Sequence, residues 1–390
     1  MKRNNVLTAF LAFGMYFLTG AACIVVGSSL THLAEMYDMS LDKVVLLGSA
    51  YAFGRVLTVY GTGHLVEKIG TKKVLGIGVI LIMAYLIGLP LVVNFYAGMF
   101  FACLGGIGMG AQDTVCPVLL SAVFKRNYAG SLSVGQAMFG LGSFATPFLI
   151  GILLTWHLPF YGAYYILLVI PVLMLICIPF VRLQEHSAEG KKTEQVEPLY
   201  TKSKLIAWGA LLILCAAYSA VVNTLGLYIS SFAESIGISS ANAAFMLTVY
   251  NVGSVTGSFV FVLILRKVKP QTVLIINNLF ALAAVVLVLG VDHTAALFSG
   301  FLCAGFFLGV LFSVIVTVAT RIGYERISIA SSIVATAGGG SDILTPIITG
   351  FLVGRMGIRI SFYYTALMII ISLAAALLIK INTSEKKKEE

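Results

Sequence analysis

Few residues in this chain could do chemistry, and they stand out by position. Of 16 acidic residues only Asp113 and Asp342 fall well inside long apolar runs, and of 25 basic residues only Arg55 does. An ionisable group at the centre of a membrane helix costs about 2.5–3.5 kcal/mol on insertion scales, so such groups face protein or a water-filled space and pair or act there. Arg55 shares a helical face with Gly48, Tyr51, Thr58 and Thr62, the spacing of one side of a 3.6-residue helix. A guanidinium on that face is either a clamp for a carboxylate or phosphate or the structural partner of Asp113. Asp113 lies on one face with Gly106, Gly110 and Pro117 and is a candidate proton carrier. A fixed pair with Arg55 would oppose that role, because an adjacent cation favours the charged carboxylate. Asp342 shares a face with Gly339 and Pro346. It is either a second proton-coupling acid or an acid satisfied near the backbone groups that a mid-helix proline frees.

A second set is polar and uncharged: Tyr16, Gln136, Asn223, Tyr250 and Asn251. Singly, each reads as an interhelical hydrogen bond worth about 0.6 kcal/mol on average. Together with Arg55 and Tyr51 they could orient a solute with several hydroxyls. In the run 130–155, Gly142, Thr146, Pro147 and Gly151 read as a site of helix bending and tight packing. The cysteines at 23, 103, 116, 177, 215 and 303 all lie in apolar runs without a CxxC pair, which argues against disulfides and a zinc site. No nucleophile–base pair, metal spacing or phosphate loop occurs, so neither an enzyme nor an ATP-driven pump is expected, and no cofactor or metal.

The elements that position these residues follow from composition. The 390 residues are 59% apolar and 11% charged, with a mean hydropathy of +1.00. Soluble domains carry roughly 25% charged residues, and disorder needs low hydrophobicity, so both are excluded. The net charge of +9 does not indicate nucleic-acid binding, because the basic residues sit in short clusters between apolar runs rather than on one face. A membrane-spanning helix needs about 20 apolar residues, and these runs lack the alternation of a barrel strand. Twelve spans are expected: 7–29, 44–66, 74–94, 97–122, 130–155, 160–181, 205–230, 243–265, 272–291, 296–319, 331–354 and 360–381. The amino terminus reads as an uncleaved first span, since its apolar run continues past Cys23. Of the 24 basic residues outside the spans, 21 fall on one side, which places both termini and the stretch 182–204 in the cytoplasm. The domains are then 1–181, a linker 182–204, and 205–390.

Sliding the chain by 199 residues aligns its halves without a gap. Leu33-Ala34-Glu35 falls on Phe232-Ala233-Glu234, and Tyr51 and Gly54 fall on Tyr250 and Gly253. Gly106 and Gly110 fall on Gly305 and Gly309, and Thr146-Pro147 and Gly151 fall on Thr345-Pro346 and Gly350. The fold class is therefore an all-α membrane protein with twelve transmembrane helices in two parallel six-helix repeats.

Between spans 2 and 3 the chain reads Gly63-His64-Leu65-Val66-Glu67-Lys68-Ile69-Gly70-Thr71-Lys72-Lys73. This resembles the signature G-x-L-x-D-R-x-G-x-K-K of the major facilitator superfamily, with Glu67 in place of Asp. The resemblance implies a gating role for Gly63, Glu67, Lys68, Gly70, Lys72 and Lys73, with Glu67 pairing with Lys125 or Arg126. Gly108-Met109-Gly110-Ala111-Gln112-Asp113-Thr114 resembles the fucose/galactose/glucose–proton symporter branch, and Gln136 matches a sugar-contacting position of it. Gly27 and Phe139 depart from that pattern, so fucose itself is not implied. The reading is a proton-coupled secondary transporter in the cytoplasmic membrane, monomeric, moving a sugar or organic anion by alternating access. Substrate contacts are expected from Arg55, Tyr51, Gln136, Asn223, Tyr250 and Asn251, and proton coupling from Asp113 and Asp342. The alternatives are an efflux antiporter and, in another class, a transport-dead sensor or lipid-handling protein.

Overall fold

The computed structural model describes residues 3–124, 128–181, 202–265, 267–291, 293–322 and 327–384. Regular structure among them is helical throughout. Contacts divide the chain into two compact units, Met1–Gly190 with Ile229–Thr248, and Lys191–Tyr228 with Val249–Glu390. The first contains α1 (Arg3–Cys23), α2 (Val25–Ser28), α3 (Leu30–Tyr37), α4 (Leu41–Val44), α5 (Leu46–Ile69), α6 (Thr71–Leu91) and α7 (Phe95–Val123). It continues with α8 (Tyr128–Thr155), α9 (Gly162–Leu167), α10 (Val169–Cys177) and a 3-10 turn at Ile178–Phe180. Helices α11 (Lys202–Ser235) and α12 (Ser240–Ile264) pass from one unit into the other. The second unit holds α13 (Pro270–Gly290), α14 (Thr294–Leu308), α15 (Leu311–Ile322), α16 (Ile327–Met356) and α17 (Arg359–Ser384).

Among the described residues ten stretches are long and apolar enough to cross a membrane, and they fall on ten of the twelve expected spans. The other two expected spans, 44–66 and 331–354, lie on α5 and α16. Helix α5 carries Arg55, His64 and Lys68, and α16 interleaves Ser, Thr and Gly. Several helices outrun the expected spans: α11 starts at Lys202 and ends at Ser235, where 205–230 was expected. Apolarity marks only the part of a helix inside hydrocarbon, and hydrogen bonding carries the helix on into the polar margin. The first, sixth and tenth expected spans are interrupted. The first breaks at Ile24 between α1 and α2, the sixth at Leu168 between α9 and α10, and the tenth divides into α14 and α15 around Gly309 and Val310. Pro171 stands just past the break in the sixth, but no proline marks those in the first and tenth, so apolarity could not disclose them.

Helix ends follow local chemistry. The Asn94 side chain accepts from the amides of Tyr96 and Ala97 and so caps α7. Gly70 separates α5 from α6 at φ 86°, a conformation that a Cβ would oppose. The chain leaves α3 and α11 by one and the same device. Asp38 and Met39 donate their amides to the carbonyls of Glu35 and Ala34, and Gly237 and Ile238 donate theirs to Glu234 and Ala233. Asp38 stands at φ 49° and Gly237 at φ 86°, again 199 residues apart. Since the left-handed region costs an L-residue about 1–2 kcal/mol and glycine nothing, Asp38→Gly is expected to raise the thermal midpoint or leave it unchanged. A marked fall in a melting experiment would contradict that.

Three helix contacts position the residues singled out above. Helices α5 and α7 meet with their backbones almost touching. A Cβ on Gly106 would stand 1.8 Å from the Tyr51 carbonyl oxygen, one on Gly54 2.1 Å from that of Cys103, and one on Gly110 1.9 Å from Thr58 Oγ1. In the second unit, Cβ atoms on Gly305 and Gly253 would stand 2.0 Å and 2.3 Å from the carbonyl oxygens of Tyr250 and Leu302. Another on Gly309 would lie 2.2 Å from the Ser254 carbonyl oxygen. Helices α1 and α8 are similarly close: Cβ atoms on Gly20 and Gly142 would lie 2.0 Å from the carbonyl oxygens of Phe139 and Phe17. Ser143 and Thr146 hydroxyls donate across that contact to the carbonyls of Gly20 and Ala21. The glycines and Thr146 of the proline-containing run therefore serve packing.

The end of α11 and the start of α12, Ile229–Thr248, lie in the first unit. Thr31 Oγ1 donates to Ser231 Oγ at 3.0 Å, and the Phe245 ring lies against Gly151 and Phe148.

Candidate functional site

The glycine contact between α5 and α7 sets the centre of the site. With no side chain between the backbones, the polar face of α5 comes to rest on the glycine face of α7. Arg55 and Asp113 then meet: Arg55 Nε donates to Asp113 Oδ2 at 2.9 Å. Their side chains are 31% and 29% exposed, so the pair is not sealed within the unit. The other carboxylate oxygen, Oδ1, accepts from Gln112 Nε2 at 3.4 Å. Gln112 Oε1 in turn accepts from the Thr19 hydroxyl on α1. A chain of polar groups thus runs from Thr19 through Gln112 and Asp113 to Arg55, and it fixes which Gln112 atom faces the carboxylate.

Gln112 and Thr19 were not among the expected site residues. Gln112 had a legible signal, an amide beside an acid inside an apolar run. Thr19 had none, because a threonine in a membrane helix commonly bonds its own preceding turn. Tyr51 is buried, and its hydroxyl reaches Met109 Sδ at 3.5 Å. Gln136 is exposed on α8, next to Gly135, which packs on the buried Tyr16 ring. These residues all belong to the first unit.

The other expected residues belong to the second unit. Asn223 is half-buried on α11, while Tyr250 and Asn251 are buried on α12. Asp342 is half-buried on α16 and acts electrostatically on Cys215 and Tyr218 of α11. At the offset of 199, Ser254 takes the place of Arg55 and Phe312 that of Asp113. The second unit therefore builds the same glycine contact with no ion pair in it. Of the hollows in the described surface, one of about 430 Å³ is lined by Thr31, Glu35 and Asp38 and one of about 450 Å³ by apolar side chains of α6 and α7. Neither contains any of these residues.

In the signature loop, Lys72 has a definite partner. Its ammonium donates to the carbonyls of Pro179 at 2.8 Å and Val181 at 3.2 Å. These are the last carbonyls of the sixth span, so Lys72 satisfies acceptors that a helix end leaves open, at the end where the dipole favours a cation. Lys72→Met is expected to lower stability by about 1 kcal/mol and to loosen the exit of the sixth span, read as faster amide exchange at 178–181. Unchanged exchange there would remove that role. Gly63 and Glu67 are on α5, Gly70 makes the left-handed turn, and Lys68 and Lys73 are exposed. The Glu67 side chain, Lys125 and Arg126 lie outside the described residues, so the expected pairing falls there too.

The family model named Major Facilitator Superfamily matches residues 12–239 and 210–390. The chain belongs to the major facilitator superfamily. The MFS-type transporter YfkL of Bacillus subtilis (strain 168) is 24% identical over 387 residues, 96% of each chain. The inner membrane transport protein YdiN of Escherichia coli (strain K12) is 25% identical, over 89% of this chain and 83% of that one. Protein TsgA of Salmonella newport (strain SL254) is 24% identical over 91% and 90%. Among solved structures, the nucleoside transporter NupG superposes with a TM-score of 0.77 at 12% identity, covering 98% of this chain and 99% of that one. At that identity the likeness is one of fold. This major facilitator protein is a multi-pass membrane protein of a secondary-transport family.

Proposed function

We propose that this major facilitator protein moves a small polar solute in symport with protons, by alternating access, with the Arg55–Asp113 pair as its coupling centre. The observation that carries the reading is the asymmetry of the two glycine contacts. Packing of α5 on α7 needs no ion pair, since α12 packs on α14 in the same way with Ser254 and Phe312 at the matching places. A costly intramembrane pair that the fold does not need is retained for another purpose. Charged Asp113 holds Arg55, and protonation of Asp113 releases the guanidinium toward an anionic or hydroxyl-rich solute. The clamp and the partner roles of Arg55 are then alternating states of one device.

The constant-offset contacts at Gly54 and Gly253, Gly106 and Gly305, and Gly110 and Gly309, with the matched exits at Asp38 and Gly237, support twelve spans in two parallel repeats. In this layout 1–181 and 205–390 are the halves, joined by 182–204; Tyr51 and Gln136 in the first and Asn223, Tyr250 and Asn251 in the second are the further solute contacts, and Asp342 is the second proton-coupling acid. The membrane is the cytoplasmic one, with both termini inside. A reporter fused after Lys388 should read cytoplasmic, and a periplasmic reading would overturn the count of spans.

The solute is a sugar or an organic anion. The printed name of NupG adds nucleosides to the compounds worth trying. The test is uptake into proteoliposomes of labelled hexoses, carboxylates and nucleosides, with and without a pH gradient. Accumulation of one class only with the gradient supports the reading. Uptake indifferent to the gradient for every class that enters contradicts proton coupling.

A further inference from the structure

Thr19 and Gln112 stand between Asp113 and the backbone of α1, and the Thr19 hydroxyl has more acceptors than it can use. It carries a single hydrogen. Three oxygens surround its Oγ1: Gln112 Oε1 on α7, the Met15 carbonyl at 2.9 Å and the Tyr16 carbonyl at 3.1 Å. Thr19 is 0% and Gln112 4% exposed, so bulk water cannot stand in for a lost partner, and a buried polar group without one is costly.

With Asp113 charged, each group is answered. Gln112 Nε2 donates to Asp113 Oδ1 at 3.4 Å, Gln112 Oε1 accepts from Thr19, and Asp113 Oδ2 accepts from Arg55 Nε. A proton arriving on Oδ1 turns that oxygen into a donor, which then meets the Gln112 N–H, donor against donor. The terminal torsion of a glutamine side chain is broad and two-fold. A half-turn exchanges Oε1 and Nε2 without changing the side chain's shape. Oε1 then accepts from the Asp113 hydroxyl and Nε2 donates to Thr19 Oγ1, while Thr19 swings its hydrogen to the Met15 carbonyl already in reach. Both arrangements satisfy the same atoms. The second needs an acceptor on α1 that the first leaves unused, and α1 offers two. Around the acid, Arg55 and Tyr51 face it from α5 and Cys116 from α7 itself. Helices α1, α6 and α8, which also pack on α7, carry charge only at Arg3, Lys72 and Lys73, at their ends.

We propose that Gln112 and Thr19 are positioning residues of the coupling centre. When Asp113 takes up a proton, the Gln112 amide turns over, the Thr19 hydroxyl changes acceptor, and the proton is registered on α1. This rests on the reading of Asp113 as an acid that takes up a proton, and it adds the two side chains that hold both of its protonation states.

The test is infrared difference spectroscopy of the purified full chain in lipid nanodiscs, between alkaline and acidic buffer, with glutamine carbon-13 labelled at the side-chain carbonyl. The probe is the proton alone. The carboxylic C=O band of Asp113 is the one lost in Asp113→Asn, and the Gln112 carbonyl band the one lost in Gln112→Met. If Gln112→Met does not fold, the band that Thr19→Val displaces in alkaline buffer makes the assignment. The expected result is that the Gln112 band shifts with the same pH midpoint at which the Asp113 band appears, and that neither change occurs in Asp113→Asn. In Thr19→Val the Gln112 band should be displaced in alkaline buffer, where Oε1 has lost its donor, and regain its usual place in acid, where Oε1 faces Asp113. Thr19→Ser keeps the hydroxyl and should restore the usual place in both. A Gln112 band that stays still while the Asp113 band appears, or a Thr19→Val displacement equal in both buffers, would mean a fixed amide and overturn this inference alone. The absence of any carboxylic band belonging to Asp113 would overturn it together with the coupling centre.

Discussion

Asp113→Asn is expected to remove accumulation driven by a pH gradient while leaving exchange of the same solute across the membrane intact. One proton crossing a gradient of ~1 pH unit supplies about 1.4 kcal/mol, which is tenfold accumulation, and this is the factor the variant should lose. Exchange survives because Asn keeps the shape of the side chain and the solute contacts do not require the proton to move. The variant also leaves Arg55 without its anionic partner. Breaking a buried pair typically costs about 3–5 kcal/mol. Here both side chains are near one-third exposed, so water reaches the stranded guanidinium and the expected loss is nearer ~1–2 kcal/mol. The checks are counterflow and gradient-driven uptake on the same proteoliposomes, with a melting curve on the same preparation. Retained accumulation would remove Asp113 from the coupling step.

Gly106→Val should do far more to the fold than any change at the ion pair. The first atom of the new side chain would stand 1.8 Å from the Tyr51 carbonyl oxygen. That oxygen belongs to the helix backbone and cannot swing aside, so α5 and α7 must part. Overpacking typically costs about 1–3 kcal/mol, and a clash with main chain at both ends of the contact should reach about 4 kcal/mol or more, the exceptional range. Gly305→Val, which meets the Tyr250 carbonyl oxygen at 2.0 Å, should cost nearly as much. The measurement is the yield of monodisperse protein together with its thermal midpoint. If Gly106→Val is severe and Gly305→Val harmless, the two contacts are not equivalent and the argument from their asymmetry fails.

The offset of 199 aligned the glycines of α5, α7, α12 and α14 because close helix approach admits no substitute for them, so the contact left a mark in residue identity. Arg55 and Asp113 were visible for the same reason, since charge in an apolar run is rare. What remained hidden depends on partners that composition does not reveal. The acceptors of Lys72 are main-chain carbonyls of the sixth span, which any residue supplies. Thr19 reaches Gln112 only because α1 lies beside α7. The interruption of the tenth span, at Gly309 and Val310, carries no proline and lies within an unbroken apolar run.

The central claim, that Arg55 and Asp113 form a coupling centre and not a packing device, is tested most directly by the double variant Arg55→Gln, Asp113→Asn. Neutralising both residues strands no charge, and the glycine contact beneath them is untouched. The measurement is gradient-driven uptake per folded molecule in proteoliposomes, alongside the thermal midpoint. The account predicts a midpoint restored to that of the unmodified protein and no accumulation. A double variant that recovers both the midpoint and full accumulation would contradict it, and would reduce the pair to a structural contact.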